Sequence, residues 1–373
     1  MQVGKVPPAL PALRLELGLG LVTAGWVVSI FGATSAFFGI AAGIAADRLG
    51  RPQMLVLGLF CLALGSGLGG FSQSGALLLG ARAIEGIGFV AIGVSAPSLI
   101  ALAASAADQR IALALWGSYM PTGMAGMMLL APPLLSRVGW RGLWLAEAGL
   151  LLLVMLAAIA ILRPVRGQQP RTTAWAWRDV RSALVLPGPW LLAAGFGLYT
   201  VQWMAVMSWL PTFLVDAAAI SLGNAAILTA VAVLINAPGN WFGGFLLHRG
   251  LPRWLVLVLA EISLGLFGYE MFAAALPDAT KYALLLAFSF FGGMLPSATL
   301  AGVPVHARTP EQIGATNGVL VQGANLGVLL GAPAFAAIAA AFGGWQSAAW
   351  LLPLVASIGI TVALTLGLVE RRA

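Results

Sequence analysis

Charged side chains inside long apolar segments are the residues of this sequence that are most able to do chemistry. Lys5 lies six residues before Pro11, which is about 9 Å along a helix. Arg82 and Glu85 lie three residues apart in a second apolar segment and share a helix face. Ionisable groups inside a bilayer are costly and mark functional sites. We predict that Lys5 attracts an anion and that Glu85 modulates the charge of Arg82 and carries a proton.

Structural alternatives stay open for these residues. Lys5 is also consistent with a lysine near a frayed terminus whose ammonium group reaches the membrane surface. Arg82 and Glu85 are also consistent with an ion pair that only neutralises itself. Three further carboxylates in apolar segments, Glu147, Glu261 and Glu270, are interpreted as contacts between helices or as groups at the membrane interface.

Amide and aromatic side chains recur in the other apolar segments and form the second set of candidates. Asn236 and Asn240 are four residues apart and therefore share a helix face. We predict that the set lines a substrate cavity, and the alternative is hydrogen bonding that only joins helices. The predicted substrate-binding residues are Lys5, Arg82, Gln2, Tyr119, Gln202, Trp203, Asn236, Asn240, Gln322 and Asn325.

The composition excludes a soluble protein. Hydrophobic residues make up 60% of the 373 residues and charged residues 8%, where a soluble domain carries roughly a quarter. A disordered regulator is excluded on the same grounds, and a single cysteine excludes a disulfide-stapled domain. An all-α polytopic membrane protein remains, because a spanning helix needs about 20 apolar residues.

Eleven apolar segments are long enough to span a bilayer, and a shorter one, Met1–Leu13, precedes them. Within them, Pro296 is among the prolines expected to break a helix. Gly323, Gly327 and Gly331 predict a ridge for close helix packing. The predicted spans are Leu19–Ala46, Met54–Phe71, Ala76–Ala104, Ile111–Leu135, Leu143–Leu162, Trp190–Leu210, Ala225–Leu247, Trp254–Leu276, Tyr282–Val305, Ile313–Phe342 and Ala348–Val369.

Basic residues are distributed unequally between the two sides of these spans. Of the 19 Lys and Arg residues, thirteen fall on one side, four on the other and two inside apolar segments. The positive-inside rule predicts that the first side, which includes the C-terminus, is cytoplasmic. This bias explains the net charge of +7 without a nucleic-acid partner. We expect a monomer in the bacterial inner membrane whose partners are lipid and a small-molecule substrate.

The two halves of the chain resemble each other, with offsets of 200 to 205 residues. We predict two six-helix bundles, at 1–163 and 183–373, joined by a cytoplasmic loop at 164–182. Mapping Trp190–Leu210 back by 200 residues places about ten residues of the first helix before Met1. We therefore expect twelve helices, of which the first, Met1–Leu13, is truncated at its N-terminus to half length. The matches pair Leu10-Pro11 with Leu210-Pro211, Gly43 and Asp47-Arg48 with Gly244 and His248-Arg249, Asp108-Gln109 with Glu311-Gln312, and Gly139-Trp140-Arg141 with Gly344-Trp345-Gln346.

The segment from Gly43 to Arg51 resembles the G-x-x-x-D-R-x-G-R loop of the major facilitator superfamily. In that family the loop helps to lock one conformation of alternating access, which implies a latch formed by Gly43, Asp47, Arg48, Gly50 and Arg51. The second copy has His248 in place of the aspartate, so we assign the latch to the first copy alone.

Other motifs extend the resemblance over the whole chain. The segment from Arg82 to Gly88 resembles the R-x-x-x-G-x-G pattern of the family's fourth helix, and this implies that Arg82 binds substrate or couples protons. The segments Gly4–Pro11 and Trp209–Leu214 are similar to the branch named for cyanate or nitroimidazole transport.

The resemblance implies a secondary active transporter and not an enzyme. We expect it to move a small anion by alternating access, as a proton-coupled symporter. The alternative is an efflux antiporter for drugs or metabolites, and the direction of transport distinguishes the two. A membrane sensor is disfavoured because the central loop and tail leave no room for a soluble domain. The sequence contains two histidines, no Cys/His cluster and no Walker loop, so we expect neither metal nor cofactor.

Overall fold

The computed structural model describes residues 1–105, 108, 112, 119–162, 185–272, 276–307, 309 and 312–372. Within these ranges it describes the backbone alone at positions 40, 41, 43, 44, 47, 98, 101, 102, 218 and 372. Every regular element in the described ranges is a helix, and no strand occurs there. The prediction of an all-α protein is confirmed.

The chain divides into two compact units, Met1–Ala174 and Trp175–Ala373, and each is described by itself. The division falls in the predicted central loop, 164–182, which lies outside the described residues. The predicted limits of the two bundles therefore stay a prediction.

The first unit contains five helices in its described part. The third and fourth helices pack against each other and against the second, while the fifth packs on the third and contacts the first. The first helix has 12 residues and is about 18 Å long. It is shorter than a bilayer span, as predicted, but it begins at Val6 and ends at Leu17, whereas the prediction was Met1–Leu13. The helices are α1 (Val6–Leu17), α2 (Leu21–Leu49), α3 (Arg51–Gly70), α4 (Gly75–Ala103) and α5 (Tyr119–Leu162).

The second unit contains nine helices in its described part. Close packing joins α6 to α12 and α9 to α14. The helices are α6 (Pro187–Ala218), α7 (Leu222–Leu234), α8 (Asn236–His248), α9 (Arg253–Glu270), α10 (Asp278–Gly292), α11 (Met294–His306), α12 (Gln312–Phe342), α13 (Trp345–Ala348) and α14 (Leu351–Arg372).

Two apolar segments that were predicted as single spans are each divided into two helices. The breaks fall at Ile235, between α7 and α8, and at Gly293, between α10 and α11. Pro238 and Pro296 follow the breaks, and neither has the N–H that would bond to the carbonyl four residues earlier. The break before Pro296 was predicted. Each pair of helices still forms one apolar stretch, of 27 and 29 residues.

The described residues contain nine stretches that are long and apolar enough to cross a bilayer. The longest, Tyr119–Leu162, contains a break at Gly139 and corresponds to two predicted spans. Helix α9 corresponds to one more, although it is not among the nine. These helices account for the eleven predicted spans.

A ridge of glycines on α12 packs against α6. A Cβ atom added to Gly323, Gly327 or Gly331 would overlap backbone carbonyl oxygens of α6 between Ala193 and Val201. The two backbones can approach this closely only because these positions lack side chains. The predicted packing ridge is confirmed.

Turn glycines support the internal repeat. Gly139 and Gly344 have φ of 66° and 123°, each with ψ near 180°. Gly50 and Gly250 have φ of 92° and 86° and end α2 and the turn after α8. Side chains disfavour positive φ, so glycine is required at both members of each pair. The two units therefore share turn geometry at corresponding positions.

Candidate functional site

Four charged side chains form a buried network in the first unit. Lys5 Nζ lies 2.7 Å from Glu85 Oε1 and 2.8 Å from Glu147 Oε2. Arg82 Nη1 pairs with Glu85 Oε2. All four residues are at most 4% exposed. The network carries two positive and two negative charges, so it is neutral, and neutrality is what allows charged groups to be buried together.

Glu85 is the most fully satisfied member of this network. Ser66 Oγ accepts a hydrogen bond from Lys5 Nζ at 2.7 Å and donates one to Glu85 Oε1 at 2.8 Å. Glu85 therefore accepts from Lys5, Ser66 and Arg82. Gly65 lets α3 approach α4 here, since a Cβ atom at this position would contact Glu85 Cγ at 2.6 Å. Several charge-assisted hydrogen bonds stabilise this carboxylate.

Arg82 keeps an unused donor. Its Nε donates to the carbonyl of Val27 at 3.0 Å, and its Nη1 donates to the carbonyl of Gln2 at 3.2 Å as well as to Glu85. The ring of Phe31 lies 5.4 Å from the guanidinium carbon. Among the described residues, Arg82 Nη2 has no hydrogen-bond partner although it is buried. An unsatisfied buried donor is costly, and Nη2 is therefore the part of this guanidinium whose hydrogen-bonding capacity is unused.

The structure decides how Lys5, Arg82 and Glu85 are paired. Lys5 does not reach the membrane surface; it is 0% exposed and its ammonium group also lies 4.7 Å from the ring of Trp144. Arg82 and Glu85 form the ion pair that was weighed as their structural alternative. Neither cation is free of a counter-charge, and their roles in substrate binding stay a prediction.

A cavity of about 220 Å³ in the first unit brings together two other predicted residues, Gln2 and Tyr119. Glu147 lines the same cavity. Gln2 Oε1 and both carboxylate oxygens of Glu147 accept no hydrogen bond from the described residues, and Glu147 interacts with Lys5 through charge. Glu147 was interpreted as a contact between helices, and it does connect α5 to Lys5 before α1.

The predicted residues of the second unit form two separate contacts. Gln202 Nε2 donates to Glu261 Oε2 at 2.8 Å, which joins α6 to α9. Asn236 Nδ2 donates to the hydroxyl of Tyr199 at 3.1 Å and to the carbonyl of Ser289 at 2.9 Å. Both contacts hold helices together, as the structural alternative for these amides stated.

The remaining predicted residues of the second unit are buried or half-buried. Trp203 is 8% exposed, and its Nε1 has no partner among the described residues. Asn240, Gln322 and Asn325 are half-buried. Their roles in substrate binding stay predictions.

The predicted latch is mostly helical and is not a loop. Helix α2 continues through Gly43, Asp47 and Arg48, and Gly50 alone separates it from α3, which begins at Arg51. The positive φ of Gly50 produces this tight turn. Arg48 is exposed and Arg51 is half-buried. Only the backbone is described at Gly43 and Asp47, so the latch stays a prediction.

Glu147 in the network and Ser66, which joins Lys5 to Glu85, were not predicted from the sequence as site residues. Ser66 lies between Gly65 and Gly67, and a hydroxyl in an otherwise apolar run was the available signal. Glu147 was recognised as buried, but its partner lies 142 residues away, so its pairing has no local signature.

Comparison with known protein families identifies the family of this chain. The profile of the Major Facilitator Superfamily matches residues 1–320. The chain belongs to this superfamily. It is therefore a multi-pass membrane transporter and not an enzyme. The narrower resemblance to cyanate or nitroimidazole transporters is not confirmed.

Relatives within the superfamily include carriers with different named roles. The chain is 26% identical over 322 residues to the probable sulfoacetate transporter SauU of Cupriavidus necator, covering 80% of this chain and 74% of that protein. It is 29% identical over 163 residues to the multidrug efflux pump LfrA of Mycolicibacterium smegmatis, covering 43% of this chain and 32% of the pump.

A solved structure shares the fold. It is a bacterial homologue of the human lysosomal transporter Spinster in an inward-facing, unoccupied conformation. The TM-score is 0.82 at 16% identity, over 99% of this chain and 94% of the other.

Proposed function

We propose that this protein is a proton-coupled secondary transporter that moves a small organic anion by alternating access. It acts as a monomer in the bacterial cytoplasmic membrane, with bundles at 1–163 and 183–373. The central segment and the C-terminus face the cytoplasm. The inequality of basic residues between the two sides of the spans supports this orientation.

The observation that carries the anion proposal is the unused donor of Arg82. Its guanidinium is fully buried and held by Glu85, Val27 and Gln2, while Nη2 has no partner among the described residues. A carboxylate or sulfonate oxygen is a strong acceptor for such a group. One relative is named as a probable sulfoacetate transporter, and sulfoacetate contains both a carboxylate and a sulfonate.

The test measures uptake of sulfoacetate into proteoliposomes, with cyanate as a second anion and a neutral nitroimidazole as a control. We expect Arg82→Lys to keep the positive charge but to lose the Nη2 donor. The loss of one charge-assisted hydrogen bond, about 1.5–3 kcal/mol, predicts a drop of about tenfold to hundredfold in apparent affinity. Arg82→Ala should abolish uptake.

The matched control is Arg137→Ala, at an exposed position of α5. It should transport normally. Thermal melting of each variant separates a lost site from a lost fold. A variant that has lost only the site still melts cooperatively, but the anion no longer raises its melting temperature, because a ligand stabilises only a folded protein that binds it. Normal uptake by Arg82→Ala would remove Arg82 from the site.

Export is the second candidate function, and the match to a multidrug efflux pump favours it over part of the chain. Right-side-out and inside-out vesicles distinguish the two directions. Accumulation of the anion in right-side-out vesicles supports uptake. Accumulation of drug-like cations only in inside-out vesicles supports the efflux antiporter.

A further inference from the structure

The second unit buries a carboxylate that has no cationic partner among the described residues. Glu261 on α9 is 1% exposed, and its one hydrogen-bond partner there is the amide of Gln202, itself 0% exposed. In the first unit, by contrast, the buried Glu85 and Glu147 are both compensated by Lys5. An isolated carboxylate in an apolar interior is far more costly than a paired one.

Glu261 and Gln202 together have more hydrogen-bond acceptors than donors can satisfy. Gln202 Nε2 donates to Glu261 Oε2 at 2.8 Å and to the carbonyl of Leu198 at 3.4 Å. Gln202 Oε1 and Glu261 Oε1 are both buried and have no partner in the described part of the chain. Both are acceptors when Glu261 is ionised. A carboxylic acid donates one hydrogen bond, so a proton on Glu261 Oε1 turns one of these two unmatched acceptors into a donor.

The backbone of α14 closes over the carboxyl group. A Cβ atom added to Gly359 would overlap the carboxyl carbon of Glu261. The space between α9 and α14 therefore exists because position 359 has no side chain. Two unpaired oxygens are too few for a hard cation such as Ca²⁺, which takes six to eight oxygen ligands. A proton is the ligand that this site fits.

Other titratable groups on the elements packed against α9 are distant or engaged. On α6, the Tyr199 hydroxyl is bonded to Asn236, and Asp216 is near the helix end. On α9, Arg253 and Tyr269 each lie eight residues from Glu261 and Glu270 lies nine, which is about 12 to 14 Å along the helix, and the ring of Tyr269 packs against Trp350. The charged and titratable groups of α8, α10, α11 and α14 are within five residues of a helix end: His248, Asp278, Lys281, Tyr282, His306, Glu370 and Arg371.

We propose that Glu261 and Gln202 form a proton-binding site in the second unit, in which Glu261 is a neutral acid that accepts a hydrogen bond from Gln202 Nε2 through its Oε2. A proton from water adds to Glu261 Oε1, so the carboxylate becomes a carboxylic acid and no electron is transferred. The same proton leaves to water during the transport cycle. This last step rests on the proposed function, whereas occupancy of the site does not.

The first experiment reads the protonation state directly. Infrared spectra of the purified protein at neutral pH should contain the carbonyl stretch of a protonated carboxylic acid, and Glu261→Gln should lose it. Glu270→Gln, a half-buried glutamate at the end of the same helix, is the matched control and should keep the band. If Glu261→Gln does not fold, Glu261→Asp should retain a shifted band. Identical spectra for wild type and Glu261→Gln would overturn the proposal.

The second experiment reads the role of the proton in transport. Glutamine imitates the neutral acid, so Glu261→Gln should exchange labelled anion for unlabelled anion at a rate within about twofold of wild type. It should fail to accumulate the anion against its gradient when a proton gradient is imposed. Retention of uphill accumulation would overturn the coupling role. A wild type that exchanges no anion would refute the proposed function alone and leave the infrared result to decide on the proton site.

Discussion

Replacing Lys5 with methionine removes one of two positive charges from the buried network of the first unit. Lys5 is 0% exposed and lies 2.7 and 2.8 Å from two carboxylates. The variant leaves Arg82 alone to compensate Glu85 and Glu147, so the interior gains one uncompensated negative charge. Removing one partner of a buried ion pair costs about 3–5 kcal/mol, against about 0–1 kcal/mol for a surface pair.

A compensating variant tests whether neutrality is the cause. Lys5→Met combined with Glu147→Gln restores equal charge, with Arg82 opposite Glu85. We expect the double variant to recover at least half of the lost free energy of unfolding. The sum of the two single losses should exceed the loss in the double variant by about 1–3 kcal/mol, as expected for residues in contact.

The assay uses the one cysteine of the chain. Cys61 is free and half-buried in the first unit, so a fluorogenic maleimide reports on the unfolding of the unit that contains the network. At about 2–4 °C per kcal/mol for a domain of 150–250 residues, Lys5→Met should lower the melting temperature by about 10 °C. The other lysine, Lys281, pairs with the exposed Asp278 at 3.7 Å, and Lys281→Met should shift it by less than about 4 °C.

The reasoning fails if Lys5→Met melts within a few degrees of wild type. It also fails if the double variant is as unstable as Lys5→Met, because the loss would then come from packing of the lysine stem and not from charge.

The glycine positions make two further predictions, each measured as a melting temperature against a matched glycine that faces open space. Gly327→Val forces a branched side chain into the backbone of α6 and should cost about 1–3 kcal/mol or more, whereas Gly149→Ala, with nothing within 4 Å, should be within about 0.5 kcal/mol of wild type. Gly139→Ala places a side chain at φ 66° and should cost about 1–3 kcal/mol of stability. Gly126→Ala, in the same helix and also in open space, should not destabilise the protein. Equal melting temperatures of these two variants would contradict a strained turn at position 139.

Features that depend only on residues close together in the sequence were predictable. Apolar runs gave the spans because hydropathy is a property of each segment by itself, and the break before Pro296 followed from a missing N–H. The break at Ile235 has the same kind of signal in Pro238, although it was not among the predicted breaks. The glycine ridge on α12 was predictable because a spacing of four residues selects one helix face.

Pairings between distant residues were not predictable in the same way. Lys5, Glu85 and Glu147 each stood out as charged groups in apolar runs, yet their contacts with one another and with Ser66 depend on how α3, α4 and α5 pack. Sequence alone therefore indicated which groups are buried but not which charge compensates which. The same is true of Glu261, whose lack of a cation is visible only when its neighbours are placed.

The repeated turns have an evolutionary consequence. A duplicated ancestor would start with two identical halves, and Gly139 and Gly344, at corresponding positions, both have positive φ. The side-chain chemistry has diverged, because the offset of 200 residues that pairs Gln2 with Gln202 pairs Lys5 with Ala205. The first half thus buries two cations that are paired with carboxylates, whereas the second half buries Glu261 without a cationic partner among the described residues. With such an arrangement, substrate specificity can change through a few side chains in one half while the backbone of both halves stays the same.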